Sequence, residues 1–131
     1  MAQRIAYLGQ KFTISFDRER SDACPAGEFF DGLSLLDQAK LMALFLIAGD
    51  HGKFYNPEKF GDLGNGMYEF KSGQIRMPFA YAKNSRATII ITHGFTKKKD
   101  KTPKNEIARA WRIYNEDQAK TKLAIVRKAN K

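Results

Sequence analysis

The chain has 131 residues, 43% of them hydrophobic and 28% charged, with a formal net charge of +9. This balance excludes a disordered or membrane-embedded chain, and the length fits one compact domain, residues 1–131, with a core of its own. The charge is uneven: residues 1–66 carry seven Lys/Arg against nine Asp/Glu (net −2), whereas residues 67–131 carry sixteen against five (net +11). An asymmetry of this size implies a positive face suited to a polyanion, either nucleic acid or an acidic protein partner.

In chain order, RIAYL and KFTISFD predict two strands joined through Gly9-Gln10. In the second, Phe12, Ile14 and Phe16 alternate with polar residues. Residues 20–33 are dense in Gly, Pro and Asp and read as a loop. Ser34, with Asp37 three residues later, starts a helix. Its later part, LMALFLIAG at 41–49, is apolar all round, so it should be buried and end near Gly49. That run is too short to cross a membrane, and no secretory signal is visible, so a cytoplasmic protein is expected. HGKFYNPEKFGDLGNGM is a loop or one short helix around Pro57 to Phe60.

From Met67, the segments MYEFK, QIRMPFAYA and ATIIITHGF predict a three-stranded antiparallel meander, with turns at Ser72-Gly73 and at 83–86. Thr102 then caps a helix with Pro103 at its first position and Glu106 favouring its start. Ile107, Trp111 and Tyr114 recur at helical spacing and should pack on the sheet, while Lys104, Arg109 and Arg112 face elsewhere. Sheet and helix thus span 67–118, and residues 119–131 form a basic tail, helical or a free arm. The fold class is α+β, helices packed on a mostly antiparallel sheet. Cys24, His51 and His93 show no metal-ligand spacing, so no metal and no cofactor are expected.

Two-residue loops at Ser72-Gly73 and Asn84-Ser85 set the register. Glu69 then faces Arg76, Arg76 faces His93, and Lys71 lies diagonal to them, with Lys97, Lys98 and Lys99 just past the last strand. A sheet with such a cationic face can do metal-free RNA chemistry. That reaction needs a base for the 2′-hydroxyl, an acid for the leaving 5′-oxygen and cations for the phosphorane. His93 suits acid or base, Arg76 a bidentate phosphate contact, and Glu69 a base or a partner that orients Arg76. Lys71, Lys97 and Lys98 suit neighbouring phosphates, with Lys99, Lys101, Lys104 and Arg112 extending the RNA-binding face. A plain Glu69–Arg76 ion pair, a structural histidine and a solvated lysine loop are the alternatives.

The segment from Gly64 to Asp117 contains GNGMYEFKSG, the strand bearing Arg76, HGFTKKKDKTPKNEI and a helix beginning EIARAW. It resembles the RelE/HigB-like toxin family, and within it the phage-derived branch. That branch combines a Tyr-Glu-Leu-Arg strand, a Tyr-Arg strand, a Gly-Phe-x-Lys-Lys segment and Thr-Pro before a helix. By position, Lys71 stands where the branch usually has arginine, Arg76 matches the strand arginine, Lys97 and Lys98 match the lysine pair, and His93 precedes the Gly-Phe. The resemblance implies a toxin of a type II toxin–antitoxin system, an mRNA interferase cutting by 2′-hydroxyl attack, free or on the ribosome. Its partners would be mRNA and a cognate antitoxin, acidic or helix-turn-helix. A non-catalytic RNA- or DNA-binding accessory protein of a phage or mobile element is the alternative on the same fold, and a pure interaction protein is a third reading. Three departures stand out: Lys71 for arginine, Pro78 inside a strand, where it suggests an edge or a bulge, and little resemblance over the first 60 residues.

Overall fold

A computed structural model describes residues 4–17, 23–52, 56–83, 87–98 and 101–129, with side chains described as far as Ala119. The fold is α+β: three helices pack on a mostly antiparallel open sheet, consistent with a RelE-like fold. The elements are β1 (Arg4–Leu8), β2 (Thr13–Phe16), α1 (Pro25–Asp31), α2 (Leu35–His51), β3 (Phe60–Gly64), β4 (Met67–Ser72), β5 (Ile75–Tyr81), β6 (Thr88–Ile91), β7 (Phe95–Thr96) and α3 (Lys104–Ala129). The strand order is β1-β2-β6-β5-β4-β3, with β7 continuing β6 alongside β5. The β2–β6 pair is parallel and every other pair is antiparallel.

Side-chain alternation divides the sheet into two unlike faces. Ile14, Phe16, Phe70, Met77, Phe79, Ile89 and Ile91 point to one side, where α1 and α2 cover them with Ala26, Leu41, Leu44, Phe45 and Ala48. Met67, Ala80 and Ile90 point to the other, against Ala110 and Tyr114 of α3. The meander is confirmed and gains a fourth strand, β3, because Asn65 and Gly66 both take positive φ (57° and 93°) and close a tight hairpin onto β4. The loop-or-helix expectation for this segment is therefore corrected to a turn at 57–59 followed by a strand. The Asn-Gly signal for it is in the sequence.

Four further expectations change. The 20–33 loop contains α1, a seven-residue helix that begins at Pro25, where the missing backbone donor does no harm. Ser34 caps α2 as expected, its hydroxyl accepting from the Asp37 amide at 3.1 Å, but the helix runs to His51 and ends on a left-handed Gly52. Nor is its later part buried all round: Leu41, Leu44, Phe45 and Ala48 are, but Leu46 and Ile47 are 41% and 42% exposed. Thr102 does not cap α3 and Pro103 is not its first residue: the helix starts at Lys104, with the Pro103 carbonyl accepting from the Ile107 amide at 3.2 Å, so Pro103 holds the cap position and Thr102 lies one residue before it. Beyond 119 the tail backbone is helical to Ala129.

Candidate nucleic-acid interface

Both hairpin registers differ from expectation, and the differences build the site. The β4–β5 loop is Gly73-Gln74, with Gly73 at φ +57°, so Ser72 pairs with Ile75, Lys71 with Arg76, and Glu69 with Pro78. Moving the turn by one residue shifts each partner by two, which preserves the faces. Glu69, Lys71 and Arg76 therefore share the α3 side, with Arg76 diagonal to Glu69 rather than opposite it. In the next hairpin, Phe79 pairs with Ile91 and Tyr81 with Ile89, which is incompatible with a two-residue loop at Asn84-Ser85; those two residues lie outside the described ones.

Arg76 pairs with Phe95 of β7, not with His93. Continued unbroken, the β6 register would set Gly94 there, so one extra residue is taken up between β6 and β7 opposite Pro78. Pro78 lacks a backbone donor, and its carbonyl accepts from the Thr92 amide at 2.9 Å. The irregularity is the bulge that a proline within a strand suggested, although β5 lies in the interior of the sheet rather than at its edge. It re-aims His93, whose Nδ1 lies 3.0 Å from Thr92 Oγ1 and whose Nε2 lies 3.4 Å from Glu106 Oε1 on α3. Gly94 then backs onto Phe29 of α1 so closely that a Cβ there would lie 2.1 Å from the ring. Alternation alone would have turned His93 toward the aromatic core.

The polar row under α3 is buried. The Arg76 and Glu69 side chains are 7% and 5% exposed and lie 3.7 Å apart, Nε to Oε1. Arg76 Nη1 donates to the carbonyls of Gly73 and Ile75, and Glu69 accepts from the Thr102 hydroxyl at 2.7 and 2.8 Å. Arg76 is thus held by its own hairpin, and Thr102 is tied to the sheet. His93 is 0% exposed, and burial, then the charges of Arg109 and Arg112, lower its pKa from 6.5 to about 4. It is neutral at physiological pH and out of reach of solvent. The direct acid or base role expected of His93 therefore does not suit its place in the fold.

Above this row lies an open pocket of about 590 Å³ between β7 and the start of α3. Lys97, Lys98, Lys101 and Lys104 line it, with Thr102 and Glu106. Lys98, Lys101 and Lys104 are exposed, and Lys97 is half-buried with its amide bonded to Gln74. Lys71 stands apart, its ammonium donating to the Pro57 carbonyl at 2.9 Å, and Arg112 lies 3.6 Å from Glu116 one turn along α3. Lys99 lies outside the described residues. The sequence reading did not count Glu106 among the site residues, although it is the only carboxylate among the described residues of the pocket. Its signal is the Thr-Pro-x-x-Glu spacing, which places it in the first turn of α3 facing the lysines.

No helix among the described residues is long and apolar enough to cross a membrane. Compared with curated proteins, the chain matches none. A family model described as phage derived protein Gp49-like (DUF891) matches residues 28–115, extending the resemblance upstream through α2 and β3. With two lysine-lined walls meeting over a RelE-like sheet and that match covering most of the described fold, the chain belongs to the Gp49-like family of phage-derived proteins, within the RelE/HigB-like toxin superfamily.

Proposed function

We propose that the protein is the toxin of a type II toxin–antitoxin pair and an mRNA interferase that cuts RNA by 2′-hydroxyl attack without a metal. The observation that carries this reading is the pocket over the α3 start, where four lysines converge from two segments, 97–101 and 104, around an acidic side chain. Ammonium groups in that arrangement bind successive phosphates of a single strand and stabilise a phosphorane. Family membership supports the toxin assignment. The buried pair of Arg76 and Glu69 serves this site from beneath, fixing Thr102 and the β4–β5 hairpin rather than touching RNA. Lys71 extends the basic surface near the end of β4. An antitoxin with an acidic segment would cover the pocket, and charge attraction would speed its association.

One specific observation favours a second reading, a non-catalytic nucleic-acid binder: Arg76, Glu69 and His93 are all buried, leaving lysines as the main open cations. Incubation of the purified protein with RNA in excess chelator, with and without ribosomes, separates the two. New 2′,3′-cyclic or 3′-phosphate ends, lost in a Lys98→Ala/Lys104→Ala variant, are the result expected of the toxin. Salt-sensitive binding with intact RNA under both conditions supports the binder instead.

A further inference from the structure

Transesterification needs an acceptor for the 2′-hydroxyl proton, and an ammonium group has none to offer. We propose that Glu106 is that general base and that His93, buried behind it, is the positioning residue that holds it; the inference rests on the ribonuclease reading above. Glu106 is 21% exposed and lines the lysine pocket, with its Oε1 3.4 Å from His93 Nε2. That nitrogen is fully buried and has no hydrogen-bond partner, a state that leaves a desolvated polar atom next to the carboxylate.

The tautomer follows from Thr92. Its single hydroxyl proton can go to His93 Nδ1 at 3.0 Å or to the Pro78 carbonyl at 3.4 Å. In the second case Nε2 would present a lone pair to a carboxylate, which is repulsive. In the first, Nε2 carries the hydrogen beside Oε1 at 3.4 Å, so a small rotation of the Glu106 side chain that aligns the two makes a hydrogen bond. Stacking on Phe95, with ring centroids 5.6 Å apart, and the bulge fix the ring in place. Oε1 is then oriented from behind, leaving Oε2 for the pocket. Neutral His93 does not compete for the proton that Glu106 takes.

The step balances. The 2′-oxygen attacks phosphorus as its proton passes to Glu106. The bond from phosphorus to the 5′-oxygen breaks, and that oxygen leaves with a proton from a lysine ammonium. The products are a 2′,3′-cyclic phosphate and a 5′-hydroxyl end. Glu106 returns its proton to the neutral lysine through water.

The test measures RNA affinity and cleavage rate for the full chain in chelator, with and without ribosomes. Glu106→Gln keeps the shape and removes the acceptor, so cleavage should fall by roughly 10²–10⁴-fold while affinity is kept or rises. Glu106→Asp should regain part of that rate, which separates lost chemistry from lost folding. His93→Phe should lower the cleavage rate at least about tenfold at unchanged affinity, and His93→Gln, whose amide N–H can still reach Glu106, should recover most of it. Wild-type cleavage by Glu106→Gln overturns the inference and leaves the ribonuclease reading standing, as does a Glu106→Gln variant that loses RNA binding. Equal rates for the two His93 variants overturn the positioning role. A wild-type protein that leaves RNA intact overturns both the inference and the reading beneath it.

Discussion

The two faces of the sheet are built from opposite materials. Toward α1 and α2 the strands present rings: Phe70 stacks on Phe79 at 4.3 Å between centroids and meets Phe45 edge-on at 5.0 Å. Toward α3 they present Glu69, Arg76, Thr92 and His93, all buried, beside a small apolar cluster around Ala110 and Tyr114. Aromatic contacts tolerate small shifts, whereas a buried charge or imidazole is destabilising unless its partners stay in place. The difference teaches where positional accuracy resides. The aromatic face supplies stability, and the polar face fixes the bulge that leads into β7, Thr102 and the first turn of α3, so that it sets the walls of the lysine pocket.

The largest effect should come from breaking the polar face at its charge pair. Arg76→Ala leaves Glu69 buried without its cation and should lower the unfolding free energy by about 3–5 kcal/mol, read by denaturant titration. An unchanged midpoint would place Arg76 outside the framework. Acid should act next, through His93. Its folded pKa lies below the unfolded value, so the unfolded chain binds the extra proton first and stability falls as pH drops from about 6.5 toward 4. The loss attributable to His93 should approach about 3 kcal/mol, and His93→Phe should flatten that part of the pH profile.

The junction between the faces should be intermediate. Gly94→Ala puts a methyl into the Phe29 ring, with an expected loss of about 1–3 kcal/mol in thermal or denaturant unfolding. Its effect on RNA cleavage should exceed that of an equally destabilising change in the aromatic core, because the same residue seats the His93 bulge. The smallest stability effect belongs to the pocket rim. Lys98→Ala should shift unfolding by less than about 0.5 kcal/mol, because an exposed lysine contributes little to the fold.

The sequence made the face assignment legible and left the pairing open. Alternation put Glu69, Lys71 and Arg76 on one side whichever residue the turn centred on. Which residue lies opposite Arg76 depended on a bulge that pattern alone does not place. Pro78 signalled that irregularity, and the Asn65-Gly66 turn signalled β3, a strand whose exposed and half-buried positions carry little hydrophobic alternation. The α1 helix is too short for a periodic pattern to show. Thr102 looked like a cap because local chemistry favours one, yet α3 starts one residue later than that cap requires, and the Thr102 hydroxyl donates to Glu69, 33 residues away in the chain. Glu106 was read as a dipole partner, since its approach to His93 exists only once α3 lies on the sheet.

The salt dependence of single-stranded RNA binding tests most directly whether the open pocket, and not the buried row, meets RNA. Each phosphate-contacting lysine removed should lower the slope of log affinity against log salt by about 0.7, so Lys98→Ala/Lys104→Ala should lower it by about 1.4 with the unfolding midpoint unchanged. A double variant that keeps the wild-type slope and affinity would contradict the assignment of this pocket.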